Sequence, residues 1–154
     1  MSVVAAAIPA DELHLQPDAQ SLREASIWLA ERCRLRSVPQ ELIDRLDLCL
    51  NEVLANLIDH AGPGAQDIPV ELVLDPGDPS GGNPLSLQVR DGGEPFDPTA
   101  APSPTAPTVL ADMGIGGLGL VMVRRFCDEM RYRRVNDLNE LTLCLAWPQE
   151  TPGR

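Results

Sequence analysis

The chain has 154 residues, enough for one domain, and its 44% apolar but only 3% aromatic composition requires a core of Leu, Val, Ile and Ala. A formal net charge of −11 argues against nucleic acid or an anionic membrane as partner, since both attract basic surfaces. All 12 basic residues are arginine, which removes P-loop phosphate binding, the lysine-dependent site of eukaryotic protein kinases and Schiff-base catalysis.

Residues 1–10 read as a flexible N-terminus without the positive segment of a signal peptide, and no run is long enough to span a bilayer, so the expected location is the cytoplasm. "DELHLQP" (11–17) reads as a short strand. "DAQSLREASIWLAERCRLRS" (18–37) places Leu22, Ala25, Ile27, Leu29 and Cys33 near helical spacing. Ser21 and Glu24 resemble a capping box there, although Asp18 offers an earlier start. "VPQELIDRLDLCLNEVLANLIDHAG" (38–62) is the clearest helix, with Pro39 in its first turn, an apolar stripe of Leu42, Leu46, Cys49, Val53 and Leu57, and Gly62 and Pro63 ending it.

"IPVELVLDP" (68–76) and "NPLSLQVRD" (83–91) read as strands joined by the turn-rich "GDPSGG". Residues 92–113 are rich in Pro and Ala and carry no regular pattern. "GLGLVMVRRFCDEM" (117–130) reads as a helix approached through glycines. "RYRRVND" and "NELTLCLAW" (131–147) form two last strands turning at Asn136 to Asn139, and residues 148–154 form a flexible tail. The order β-α-α-β-β-loop-α-β-β does not alternate as βαβ units do. Neighbouring strands pair as hairpins, which predicts a single α+β domain over residues 11–147. Its architecture is a two-layer α/β sandwich, with a mostly antiparallel sheet and helices on one face. Cys33, Cys49, Cys127 and Cys144 lack C-x-x-C spacing, and three of them lie among apolar residues, which predicts buried thiols.

Gly114, Gly116 and Gly119 spell G-x-G-x-x-G, but the dinucleotide reading requires a strand immediately before the first glycine. Here a Pro-rich segment precedes it. Glycines at a helix start still leave backbone N–H groups free to bind phosphate oxygens, while a loop packed closely on the sheet is the competing reading. On the 38–62 helix, Glu52, Asn56 and His60 recur every fourth residue along one flank of the apolar stripe. A solvated flank is one reading. The other is a carboxylate and an amide oxygen that hold Mg²⁺ and orient a nucleophile. Asp91 ends an alternating strand and precedes two glycines. It is either an ordinary Asp-Gly turn or an acceptor for an adenine amino group, with Gly93 letting the base approach the backbone.

Taken together, "LNEVLANLIDHA", "VRDGGEPFDP" and "GIGGLGLVMVRRFCDEMRY" resemble the N, G1 and G2 boxes of the gyrase, Hsp90, histidine-kinase and MutL ATPase superfamily. The resemblance spans about residues 10–147. It is closest to the stand-alone bacterial anti-sigma factors that are serine/threonine protein kinases. In that branch the first box reads E-x-x-x-N-x-x-x-H, as Glu52, Asn56 and His60 do.

The resemblance implies a histidine-kinase-type ATPase fold that takes ATP and Mg²⁺. Asn56 would coordinate the metal, and Glu52 would be the general base acting on a target Ser hydroxyl. Asp91 would receive the adenine amino group beside Gly93, and Thr142 would support the base through a water. Gly116, Gly117 and Gly119 would cradle phosphates, and residues 97–115 would form the lid. His60 and Arg124 are weaker candidates near the site. Implied partners are a sigma factor and an anti-anti-sigma antagonist phosphorylated on Ser or Thr, with the chain itself a homodimer. No basic residue occurs between Arg90 and Arg124, whereas related kinases place Arg or Lys there to neutralise the γ-phosphate. An ATP-binding regulator without useful phosphotransfer and a plain ATP hydrolase therefore stay open beside the kinase.

Overall fold

The computed structural model describes residues 11–60, 68–99 and 120–149. Five strands, β1 (Asp11–Leu15), β2 (Val70–Asp75), β3 (Leu85–Asp91), β4 (Glu129–Val135) and β5 (Leu138–Leu145), form one sheet in the order β1-β2-β3-β5-β4. All its pairings are antiparallel. Helices α1 (Ala19–Leu35) and α2 (Gln40–His60) pack against it, followed by α3, whose described part is residues 120–126. The predicted α+β sandwich is the architecture found. Among the described residues no helix is long and apolar enough to cross a membrane.

The sheet has two chemically different faces, because side chains alternate along each strand. On one face Leu72, Leu85, Leu87, Val89, Leu143 and Leu145 are almost wholly buried, together with Leu29 of α1 and Leu42, Leu46 and Leu50 of α2. Aliphatic side chains thus form the core, as the scarcity of aromatics requires. All four cysteines are free and buried.

The opposite face carries a charged row. His14, Glu71, Arg90, Glu140 and Arg133 are successive partners across all five strands. Arg90 bridges Glu71 and Glu140, each at 2.8 Å, and Arg133 also binds Glu140. Burial alone would raise the Glu140 carboxyl, but hydrogen bonds from Arg133 and Arg90 hold it below the ordinary glutamate value.

Four local expectations are refined. Asp18, not Ser21, caps α1: its carboxylate accepts the Ser21 N–H at 3.0 Å. Ile27 is 52% exposed whereas Trp28 is buried, because Ile27 lies on the far side of α1 from Leu22 and Leu29 at about 100° per residue. The helix expected over 117–130 stops at 126, and Cys127 makes its last turn bond, to Val123. Asp128 already donates to the Cys144 carbonyl, so "DEM" joins the sheet. The last hairpin turns on Asn136 and Asp137 alone, with φ of 51° and 65°, the two-residue turn that matches strand twist.

α1 ends in a Schellman motif: Val38 N–H reaches Cys33 O at 3.0 Å and Ser37 N–H reaches Arg34 O at 3.1 Å. Ser37 pays for it with a left-handed backbone, φ 60°, where glycine carries no Cβ penalty. Ser37→Gly should raise the unfolding free energy by about 1 kcal/mol in chemical denaturation. Glu140, whose carboxyl is depressed in the fold, stabilises it above pH 4.5, its ordinary value, and less as pH falls through the folded value. The stability gap between wild type and Glu140→Gln should therefore narrow on acidification, as read by denaturation at stepped pH.

Candidate functional site: one end of the helix-covered sheet face

Chain connections sort the elements to two ends of the sandwich. At one end, Arg32 and Arg36 of α1 pair with Asp11, whose sheet partner is Leu74. The short turn after α1 starts α2 at this same end, so α2 runs towards the other. Arg45, early in α2, donates to the Phe126 carbonyl at 2.8 Å, and Cys49 Sγ lies 3.5 Å from Cys127 Sγ. The C-terminal end of α3 is therefore beside the first half of α2, and Leu120 points towards the opposite end. That opposite end holds the second half of α2, the end of β3 and the start of β5.

Asp91 closes β3 there, with its side chain on the helix-covered face and only 7% exposed. Its Oδ1 accepts Gly93 N–H at 2.8 Å and Asn139 Nδ2–H at 3.1 Å. Asn139 is its partner across the sheet, on β5. The Asn139 amide also donates to Glu94 O at 2.9 Å, while its Oδ1 accepts Tyr132 Oη–H at 2.5 Å and Phe96 N–H at 3.3 Å. Arg134 donates to Gly93 O at 2.9 Å. A buried carboxylate, its following loop and two strands are thus joined in one network.

Glu52 and Asn56 lie half-buried on α2. They occupy the flank that carries Arg45 and Cys49, one and two turns further along. Arg45 and Cys49 meet the end of α3 on this flank, so Glu52 and Asn56 lie on the α3 side of α2, in the half of the helix nearer the Asp91 end. Arg124 of α3 donates to Pro98 O at 2.7 Å, tying that helix to the segment following Asp91. Asp97 Oδ1 accepts Thr99 N–H at 2.8 Å.

The structure therefore brings Glu52, Asn56, Asp91 and Gly93 to one end of the molecule. It does not bring Thr142 to Asp91. Thr142 pairs with Gln88 and Arg131, on the helix-free face, because it is an odd number of residues from Asn139. The position beside Asp91 belongs to Asn139. Gly116, Gly117 and Gly119, the His60 side chain and residues 100–115 of the expected lid lie outside the described residues. Asn139, Tyr132 and Arg134 were missed by the sequence reading. Asn139 looked like part of a turn, and only its repeat spacing with Leu141, Leu143 and Leu145 signalled an inward side chain.

A carboxylate fixed through one oxygen can accept an amino group with the other. At the same end of the molecule, α2 carries an amide, Asn56, and a second carboxylate, Glu52. The chain belongs to the histidine kinase-like ATPase domain family, whose model matches residues 15–145. The three sequence boxes pointed to this family. A curated relative, the serine/threonine-protein kinase BtrW of Bordetella bronchiseptica, is 32% identical over 133 residues, covering 86% of this chain and 91% of the relative. Among solved structures, that of the RsbU and RsbW domains of Rv1364c from Mycobacterium tuberculosis contains the same fold, matched with a TM-score of 0.58 at 16% identity. The match covers 89% of this chain and 32% of that one, so the chain spans about a third of that structure's length.

Arg45 joins α2 to the end of α3 through the Phe126 carbonyl and, at 3.7 Å, the Asp128 carboxylate. Arg45→Ala should cost about 1 kcal/mol of stability, mostly through the carbonyl bond, since the exposed ion pair contributes little. Thermal unfolding would measure it, and faster amide exchange over residues 120–126 should accompany it.

Proposed function

We propose that the protein is a Mg-ATP-dependent serine/threonine protein kinase that regulates transcription as an anti-sigma factor. In this reading it binds a sigma factor as a homodimer in the cytoplasm and phosphorylates an antagonist protein on Ser or Thr. The observation that carries the reading is the convergence of Asp91, Glu52 and Asn56 at one end of the helix-covered face. It occurs in a chain of the kinase-like ATPase family, with a serine/threonine kinase at 32% identity.

In this reading Asp91 receives the adenine amino group, and Gly93 lies beside the base. Asn56 supplies an amide oxygen to Mg²⁺, whose charge offsets that developing on the transferred phosphoryl group. Glu52, a turn away on the same flank, accepts the proton of the attacking Ser or Thr hydroxyl, which then bonds to the γ-phosphorus as the bond to ADP breaks. Gly116, Gly117 and Gly119 are assigned to the phosphates by their place in the sequence just before residue 120.

One observation favours an ATP-binding regulator with slow phosphotransfer. Arg90 lies on the helix-free face, bound to Glu71 and Glu140, and the next basic residue, Arg124, is engaged with Pro98. Neither is directed by the described contacts to a γ-phosphate.

Incubation with Mg-ATP and the antagonist-type proteins of the source organism should yield phosphoserine or phosphothreonine, and a sigma factor should co-purify. ATP binding with no transfer to any antagonist would leave the regulator reading instead. Glu52→Ala should keep ATP affinity within about threefold and lower transfer by about a hundredfold or more. Asn56→Ala should weaken binding in the presence of Mg²⁺.

A further inference from the structure

Asn139 has no role in the nucleotide chemistry described so far, yet it is the most heavily bonded side chain at the site. It is 6% exposed, and each of its polar atoms has defined partners. A flipped amide would set the carbonyl oxygen against the Asp91 carboxylate and the NH₂ against Phe96 N–H. The observed orientation is therefore the one the network enforces. In it the amide donates to Asp91 Oδ1 at 3.1 Å, Glu94 O at 2.9 Å and, more distantly, Gly93 O at 3.4 Å. Tyr132 and Phe96 hold the amide oxygen from the other side.

The consequence falls on Asp91. Gly93 N–H and Asn139 Nδ2–H both bind Oδ1, so the plane of the carboxylate is set and its Oδ2 is the oxygen that accepts no bond among the described residues. A carboxylate free to rotate would present either oxygen and solvate both. One held by two donors on the same oxygen presents a single acceptor in a fixed direction. The same amide also fixes the backbone of Gly93 and Glu94.

We propose that Asn139, locked by Tyr132, is a positioning residue that aims Asp91 Oδ2 at the exocyclic amino group of adenine, and so sets the base selectivity of the site. The inference rests on the adenine reading of Asp91 given above. Asn139 occupies this place because β5 pairs with β3 in the register Asp91↔Asn139. Thr142, expected at the base, lies on the other face.

Selectivity is the readout that a merely structural role would not move. Binding of Mg-ATP is compared by calorimetry with Mg-purine riboside triphosphate, which lacks only the 6-amino group. Wild type should prefer ATP, and Asn139→Leu should lower that preference about tenfold while holding the affinity for the purine analogue within about threefold. Tyr132→Phe keeps the ring but removes the hydroxyl that locks the Asn139 amide oxygen. It should lower the preference in the same direction, and it decides the matter where Asn139→Leu does not fold. A wild-type preference retained in the folded variant overturns the role of Asn139 alone. A wild type that binds both nucleotides equally overturns the adenine reading of Asp91, and this inference with it.

Discussion

Leu46 and Leu50 are fully buried and Val53 nearly so, and their burial against the sheet leaves α2 a single rotational setting. Each such side chain is worth about 2 kcal/mol removed from water, so a turn of the helix that exposed the stripe would cost several times that. With the stripe held inward, the direction of every other α2 residue follows. Asp47 and Asn51 face α1, where Asn51 bonds Ser26. Arg45 and Cys49 meet the end of α3, and Glu52 and Asn56 continue the same flank. The flank that carries Glu52 and Asn56 is thus positioned by the apolar one, and the site proposed at the Asp91 end depends on aliphatic packing away from it.

The sheet contributes the other wall by the same logic. Pairing β3 with β5 rather than with its chain neighbour β4 places Asn139 opposite Asp91. The alternation that buries Leu141 and Leu143 turns Asn139 inward with them. On the helix-free face the same strands present the row of His14, Glu71, Arg90, Glu140 and Arg133. Arginine is the only long cation in this chain, and its planar fork suits the role, since Arg90 engages two glutamates at once. The cost is that Arg90, close in sequence to the proposed nucleotide loop, is committed to the wrong face to serve it.

Much of the fold was legible because it rests on local patterns. The stripe of α2 and the alternation of β2 and β3 are hydrophobic periodicities, and the hairpin order follows from short connections. Failures came where another partner, near or distant in the chain, overrode the expected one. Ser21 and Glu24 matched a capping box, but Asp18 reached the free N–H first. "DEM" continued a helical run by composition, yet Glu129 finds Cys144 across the sheet and the ladder takes it. Thr142 and Asn139 show the finest case: three residues apart, they sit on opposite faces, and resemblance to a motif does not carry the parity of a strand.

The sequence by itself determined the family, through three boxes in order, and singled out Glu52, Asn56 and Asp91 as the candidates for its site. It could do so because the spacing along one helix and the residues around one turn are properties of contiguous chain. Only the tertiary structure decided that Asn139, Tyr132 and Arg134 hold the loop after Asp91, that Thr142 lies away from it, and that Arg90 is bound elsewhere. Those outcomes depend on strand register and on which face each alternate residue meets. Register is settled by packing across the whole sheet rather than by any segment of it.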